Sequence, residues 1–99
     1  MQFLIIDDHA LIVQALGLLL KTKFPDAVVL TGSTADDARR LVAEHGENTD
    51  LLILDLNVPG EQTPTSLLEE LVRTNSALKI LVLSGIVDQQ NIMRVLQLG

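Results

Sequence analysis

FLIIDDHALIVQALGLLL, residues 3–20, is the stretch of sequence that decides the fold. Its first four residues are uninterruptedly apolar, which is typical of a short strand covered on both faces of a sheet. Asp7, Asp8 and His9 follow directly, and apolar residues then recur at helical spacing over residues 9–23. The stretch therefore predicts a strand, a polar turn and a helix whose apolar residues between positions 11 and 20 pack into the core.

The same alternation continues along the chain. Three further strands are predicted by uninterrupted apolar runs at residues 27–30, 51–54 and 80–83. A second helix is predicted from an N-cap at Ser33 or Thr34 to about His45, with Gly46 as C-cap. Two further helices are predicted at residues 64–74 and 88–98. Strands that alternate with helices predict an α/β fold, a doubly wound parallel sheet built from four βα units. No linker or repeat interrupts the chain, and we expect one domain.

The net charge and the amino-acid composition exclude several classes of function. The 99 residues have a formal net charge of -6, so this segment lacks the clustered Lys and Arg that grip nucleic-acid phosphates. Cysteine is absent, which excludes disulfides and thiolate metal sites and fits a reducing cytosol. Nothing resembles a signal peptide, and the nearly apolar residues 10–20 are too few to span a bilayer. We expect a cytoplasmic domain without membrane contact that reaches DNA only through another domain.

Oxygen-bearing side chains follow three of the apolar runs: Asp7 and Asp8 after the first, Asp55 after the third and Ser84 after the fourth. Because the carboxyl ends of parallel strands meet at one edge of a sheet, these side chains are expected to converge there. Carboxylates a few Å apart repel each other by about 3–4 kcal/mol per pair unless a cation lies between them. A ligand set of oxygens, with no His or Cys alongside, favours Mg²⁺ and phosphoryl transfer onto one carboxylate.

These motifs resemble the receiver domain of bacterial two-component response regulators. The resemblance rests on Asp7-Asp8-His9, on Asp-Leu-Asn-Val-Pro-Gly at residues 55–60 and on Leu-Ser-Gly at residues 83–85, in order at successive strand ends. Residues 4–11 are most similar to the subclass usually fused to a LuxR-type helix-turn-helix DNA-binding domain. The resemblance implies a flavodoxin-like sheet of strand order 2-1-3-4 and a signalling domain that is not a conventional enzyme.

The same resemblance implies a role for each site residue. Asp55 would accept a phosphoryl group from the phosphohistidine of a sensor histidine kinase, with self-catalysed transfer and dephosphorylation. Asp8 and Asp55 would bind Mg²⁺ directly, Asp7 would hold it through water, and the backbone carbonyl of Asn57 would be a further ligand. The Ser84 hydroxyl would hydrogen-bond a phosphoryl oxygen after transfer.

One departure from the family pattern concerns the end of the chain. Receiver domains continue with a fifth strand that ends in Lys and with a fifth helix, whereas this sequence ends at Gly99. The expectation is a C-terminally incomplete receiver domain over residues 1–99. Its fourth strand would be an exposed edge and its first helix would show apolar surface, giving marginal stability or a homodimer through that region.

The sequence alone leaves other interpretations open. The chain could be a receiver-like interaction module that is never phosphorylated, Asp7 and Asp8 could only cap a helix, and Asp55 and Ser84 could be turn residues. An aspartyl-phosphate hydrolase would need an acid where His9 stands, and a flavin-nucleotide binder would not place acids after its first strand. His9 is expected to be exposed in the first turn of its helix and not to bind metal.

Overall fold

The computed structural model describes residues 1–55, 66–74 and 77–83. The elements in chain order are β1 (Gln2–Ile6), α1 (Ala10–Lys23), β2 (Val28–Gly32), α2 (Ala35–His45), a 3-10 turn (Gly46–Asn48), β3 (Leu51–Asp55), α3 (Ser66–Thr74) and β4 (Ile80–Leu83). The predicted helix at 88–98 lies outside these residues. Within them, no helix has the length and apolar character needed to cross a bilayer.

The strands form one parallel sheet in the order β2-β1-β3-β4, which confirms the predicted order. Ile6 at the end of β1 pairs with Gly32 on one side and with Leu54 on the other. Asp55 pairs with Leu83 at the end of β4. The carboxyl ends of all four strands therefore lie at the same edge, and β4 is an outer strand of the described sheet.

Alternate residues of the inner strands pack on opposite faces of the sheet, as the two-residue period of a strand requires. One face packs against α2 and α3, through the buried residues Leu4, Ile6, Leu52, Leu54, Ala38, Leu41, Leu67 and Leu71. The other packs against α1, through Phe3, Ile5, Ile53, Leu16 and Leu20. Helices on both faces explain why β1 and β3 each contain four consecutive apolar residues.

Only part of the apolar stripe of α1 is buried. Leu16 and Leu20 are buried, whereas Leu11 is 81% exposed and Leu18 is 71% exposed. The prediction that the whole stripe packs into the core was wrong for Leu11 and Leu18, because a helix contacts a sheet along one side only. The first helix therefore shows apolar surface at these two residues.

The start of α2 is fixed by side-chain caps beside the carboxyl edge. The Thr34 hydroxyl accepts a hydrogen bond from the backbone N–H of Asp37 at 3.1 Å, so Thr34 is the N-cap. In return, the Asp37 carboxylate accepts the backbone N–H of Ser33 at 3.0 Å. At the other end Gly46 is the C-cap, but in the right-handed region (φ -58°, ψ -37°), so the chain winds on into the 3-10 turn.

Candidate functional site

Three acids stand at the carboxyl edge of the sheet. Asp55 is the last residue of β3, and Asp7 follows β1 with its backbone N–H donating to the Gly32 carbonyl at 3.0 Å. The side chains of Asp7 and Asp55 are only 2% and 4% exposed, whereas that of Asp8 is 38% exposed. The preceding strand residues are buried under helices on both faces, so the strand ends carry two of the carboxylates into a desolvated position.

The three carboxylates converge with the imidazole of His9. One ligand atom from each of these four residues lies within 4.8 Å of all the others. His9 Nδ1 is 2.7 Å from Asp7 Oδ1, 3.2 Å from Asp8 Oδ1 and 3.6 Å from Asp55 Oδ2. The structure therefore brings together the three predicted acids and adds a nitrogen donor that was not predicted.

The backbone holds His9 in this position. Asp7 Oδ1 accepts the His9 backbone N–H at 2.9 Å and also lies against its Nδ1. His9 is the N-cap residue of α1 with an extended backbone, and its carbonyl accepts the N–H of Val13 at 3.1 Å. Its side chain makes no capping hydrogen bond and is 59% exposed. The ring therefore lies over the buried acids on the solvent side.

The acids favour the protonated form of the ring. The pKa of His9 is raised above 6.5, first by its hydrogen bond to Asp7 and then by the negative charges of Asp7, Asp8 and, least, Asp55. A protonated imidazole thus offsets part of the electrostatic repulsion among the three closely spaced carboxylates.

The donor set fits a divalent cation. Carboxylate oxygens are the ligands that Mg²⁺ prefers, and three of them face one point. His9 Nδ1 belongs to the same group of atoms, so a nitrogen lies beside the oxygen ligands that the sequence predicted. Asn57 and Ser84, the other two predicted site residues, lie outside the described residues, so the geometry of the site is that of the three acids and His9.

An open cleft of about 350 Å³ on the β2 side reaches Asp7 and Asp8. Asp7 and Asp8 form one wall, Ser33 and Asp37 line the other, and Gln14 of α1 contributes a further polar group. The pKa of Asp37 is held below 3.8, first by the hydrogen bond from the backbone N–H of Ser33. Asp37 is therefore ionised at neutral pH and paired with Arg40 at 3.2 Å. Because no Lys or Arg is among the described residues that line the cleft beside Asp7 and Asp8, the cleft suits water and cations better than an unaccompanied anion.

Sequence reasoning missed His9, although a signal for it was present. Three consecutive polar residues, Asp7-Asp8-His9, separate β1 from α1, and so short a connection keeps all three near the strand end. The expectation of an exposed residue was right as far as accessibility goes. The contacts of Asp7 Oδ1 with both the backbone N–H and the ring of His9 were not predicted.

The chain was compared with families of known proteins. The family model of the response regulator receiver domain matches residues 3–99. Among curated proteins, the chain is 29% identical over 98 residues to the glycerol metabolism activator of Pseudomonas putida, covering 99% of this chain and 43% of that protein. It is 30% identical over 98 residues to the transcriptional regulatory protein DegU of Brevibacillus brevis, covering 99% and 40%. The chain thus spans less than half the length of these relatives.

Solved structures of similar fold include a response regulator receiver domain from Clostridium thermocellum. It has a TM-score of 0.74 and 26% identity, covering 99% of this chain and 75% of that one. The CheX-CheY-BeF3-Mg²⁺ complex from Borrelia burgdorferi has a TM-score of 0.75 and 19% identity, covering 99% and 72%. Together they confirm the α/β fold with sheet order 2-1-3-4.

Proposed function

This chain belongs to the response regulator receiver domain family, and from that premise we propose that Asp55 accepts a phosphoryl group in a Mg²⁺-dependent reaction. The observation that carries the proposal is the convergence of one oxygen each from Asp7, Asp8 and Asp55 within 4.8 Å. The phosphoryl donor is the phosphohistidine of a sensor histidine kinase.

The transfer forms one bond and breaks one. A carboxylate oxygen of Asp55 attacks the phosphorus, the P–N bond of the phosphohistidine breaks, and its electron pair leaves with the kinase imidazole. The product is an acyl phosphate on Asp55, which water hydrolyses later. Asp55 suits the acceptor role because it comes from a different strand and faces two adjacent acids, Asp7 and Asp8, that are able to act together as cation ligands.

The proposed metal ligands are the three acids and the Asn57 backbone carbonyl. Asp8 and Asp55 would bind Mg²⁺ directly, Asp7 would hold it through water, and the Asn57 backbone carbonyl would complete the protein ligands. Mg²⁺ held by these residues would supply the positive charge that offsets the negative charge developing on the phosphoryl oxygens. The Ser84 hydroxyl donates to a phosphoryl oxygen after transfer. The all-oxygen character of these ligands and the Mg²⁺ in the Borrelia burgdorferi complex of similar fold support this assignment.

The partners proposed beyond the kinase are an output domain and a second copy of the chain. Relatives more than twice as long, among them a transcriptional regulatory protein, support control of a transcriptional output domain in the cytoplasm. With a net charge of -6, this segment leaves DNA contact to that domain. Leu11 and Leu18, seven residues apart on the exposed side of α1, form the apolar surface for homodimer formation.

Phosphorylation of the chain with a small phosphodonor tests the central proposal. Incubation with acetyl phosphate and Mg²⁺ is expected to add one acid-labile phosphate, seen by intact mass and mapped to Asp55 after borohydride reduction. Asp55→Asn and the addition of EDTA are each expected to abolish it. Asp26→Asn is the matched control, because it removes one exposed acid far from the site. Mg²⁺ binding without any phosphate incorporation would instead indicate an interaction module that is never phosphorylated.

A further inference from the structure

His9 has a spacing from the acids that a shared metal ion would require. Two adjacent donors on one ion, with bonds of about 2.1 Å, lie about 3.0 Å apart in an octahedral site and about 3.4 Å apart in a tetrahedral one. The separations of His9 Nδ1 from the three acids are 2.7, 3.2 and 3.6 Å. The separations from Asp8 and Asp55 are close to these ligand spacings, and the 2.7 Å separation from Asp7 is a hydrogen bond that a shared ion would replace.

A nitrogen donor changes which cations a site prefers. Mg²⁺ takes oxygen ligands almost exclusively, whereas Zn²⁺ binds imidazole nitrogen and carboxylate oxygen equally readily. We infer that His9 is the residue that determines the cation preference of this site, by supplying Nδ1 as a fourth ligand to Zn²⁺ beside Asp7, Asp8 and Asp55. This inference rests on the proposed function, since it concerns the cation of the same site. Zn²⁺ bound in this way competes with Mg²⁺.

The position of His9 also fits a side chain that binds some cations and leaves others to the three acids. Its backbone is fixed by the hydrogen bond to Asp7 and by the start of α1, while its ring is 59% exposed and makes no capping hydrogen bond. The ring is thus able to turn toward solvent when the bound ion has no use for nitrogen. For Mg²⁺ the three oxygens and water suffice, and His9 then contributes little to affinity.

The alternative is that His9 is only a counter-charge that any cation must displace. The two possibilities predict opposite effects of removing the ring. If His9 is a Zn²⁺ ligand, its loss weakens Zn²⁺ binding and leaves Mg²⁺ binding nearly unchanged. If His9 is a displaced counter-charge, its loss strengthens the binding of both cations.

Calorimetric titration of the 99-residue chain with Mg²⁺ alone and with Zn²⁺ alone, both at neutral pH, distinguishes them. His9→Ala is expected to lower Zn²⁺ affinity by about tenfold or more, the range seen when groups supporting a metal are removed. Mg²⁺ affinity is expected to change by less than about threefold. His45→Ala, which removes the other histidine at the far end of α2, should change neither.

A second measurement needs no variant of uncertain folding. In ¹⁵N-labelled wild-type protein, Zn²⁺ should shift the Nδ1 resonance of His9 to the range of a metal-bound nitrogen, and Mg²⁺ should not. An unshifted Nδ1 with Zn²⁺ bound, or tighter binding of both cations to His9→Ala, overturns the inference while the proposed function stands. Failure of the wild type to bind Mg²⁺ would overturn the proposed function as well.

Discussion

Replacing Asp55 by Asn is expected to stabilise the metal-free protein while abolishing its response to Mg²⁺. Asp55 and Asp7 are almost completely buried, and Asp8 stands beside them partly exposed. An amide has nearly the shape of a carboxylate but no charge, so the substitution removes repulsion with little change in packing. A stabilising substitution at a buried polar position is unusual, and it would identify charge crowding as its cause.

The magnitude follows from the separations. Two unit charges 4.8 Å apart, the largest distance among the ligand atoms, repel by about 3.5 kcal/mol at an effective dielectric constant of about 20. The pair with Asp7 counts nearly in full, and the pair with Asp8 is weakened by solvent. Loss of the attraction between Asp55 and His9, 3.6 Å apart, offsets part of the gain. We therefore expect a net increase of about 1–3 kcal/mol in the free energy of unfolding.

Urea unfolding in EDTA and in Mg²⁺ measures both effects. Mg²⁺ at a hundred times its Kd should stabilise the wild type by about 2.7 kcal/mol and Asp55→Asn far less. Asp26→Asn makes the same change in net charge at an exposed position, and should stay within about 0.5 kcal/mol of wild type and keep the Mg²⁺ response. A destabilised Asp55→Asn in EDTA would show that repulsion among the acids does not dominate, and would refute the reasoning.

Three other perturbations test the fold, the caps and the apolar surface. Gly32→Ala should lower the free energy of unfolding by about 1–3 kcal/mol, because the new Cβ would stand 2.7 Å from Asp37 Cβ. Gly17→Ala in α1 should raise it by about 0.5–1 kcal/mol, because the nearest atom to the new Cβ is 4.0 Å away. Urea midpoints that moved in the same direction would contradict this. The pKa of Asp37 is lowered, first by the Ser33 N–H, so its stabilisation is present above pH 3.8 and is lost as pH falls through the lowered pKa. Asp37→Asn should lack that acid loss in melts between pH 2 and 5, and identical profiles would exclude the cap as its source. Leu18→Glu should shift a dimer to monomer in sedimentation velocity, and an unchanged dimer would place the interface elsewhere.

The sheet was predictable because its inner strands carry an unmistakable pattern. Four apolar residues in a row, at 3–6 and at 51–54, leave little choice but burial on both faces, and the structure confirms both strands. The second strand was predicted at 27–30 and observed at Val28–Gly32. Its end is set by pairing, since Gly32 lies opposite Ile6 and its carbonyl accepts the N–H of Asp7. Such long-range contacts are invisible in the local sequence.

Within the site, the convergence of the three acids was predictable from the sequence, whereas the direction of the His9 ring was not. That Asp7, Asp8 and Asp55 meet follows from topology alone, because parallel strands bring their carboxyl ends to one edge. The direction of the His9 ring does not follow from topology. It depends on one oxygen, Asp7 Oδ1, that binds both the backbone N–H and Nδ1 of His9, and no spacing rule encodes such a two-point contact.

Because the four site residues differ in burial, we expect substitutions at some of them to affect the stability of the fold and substitutions at the others to affect cation selectivity. Asp7 and Asp55 lie in a desolvated position, where an uncompensated charge is expensive, so changes there should act mainly on the free energy of unfolding and on whether any cation binds. Asp8 and His9 are 38% and 59% exposed, where solvent screens charge and the side chains have room to move. Changes at these two residues should act mainly on which cation binds and how fast it exchanges. We therefore expect substitutions at Asp8 and His9 to change the cation preference without altering the buried pair Asp7 and Asp55, of which Asp55 is the proposed acceptor.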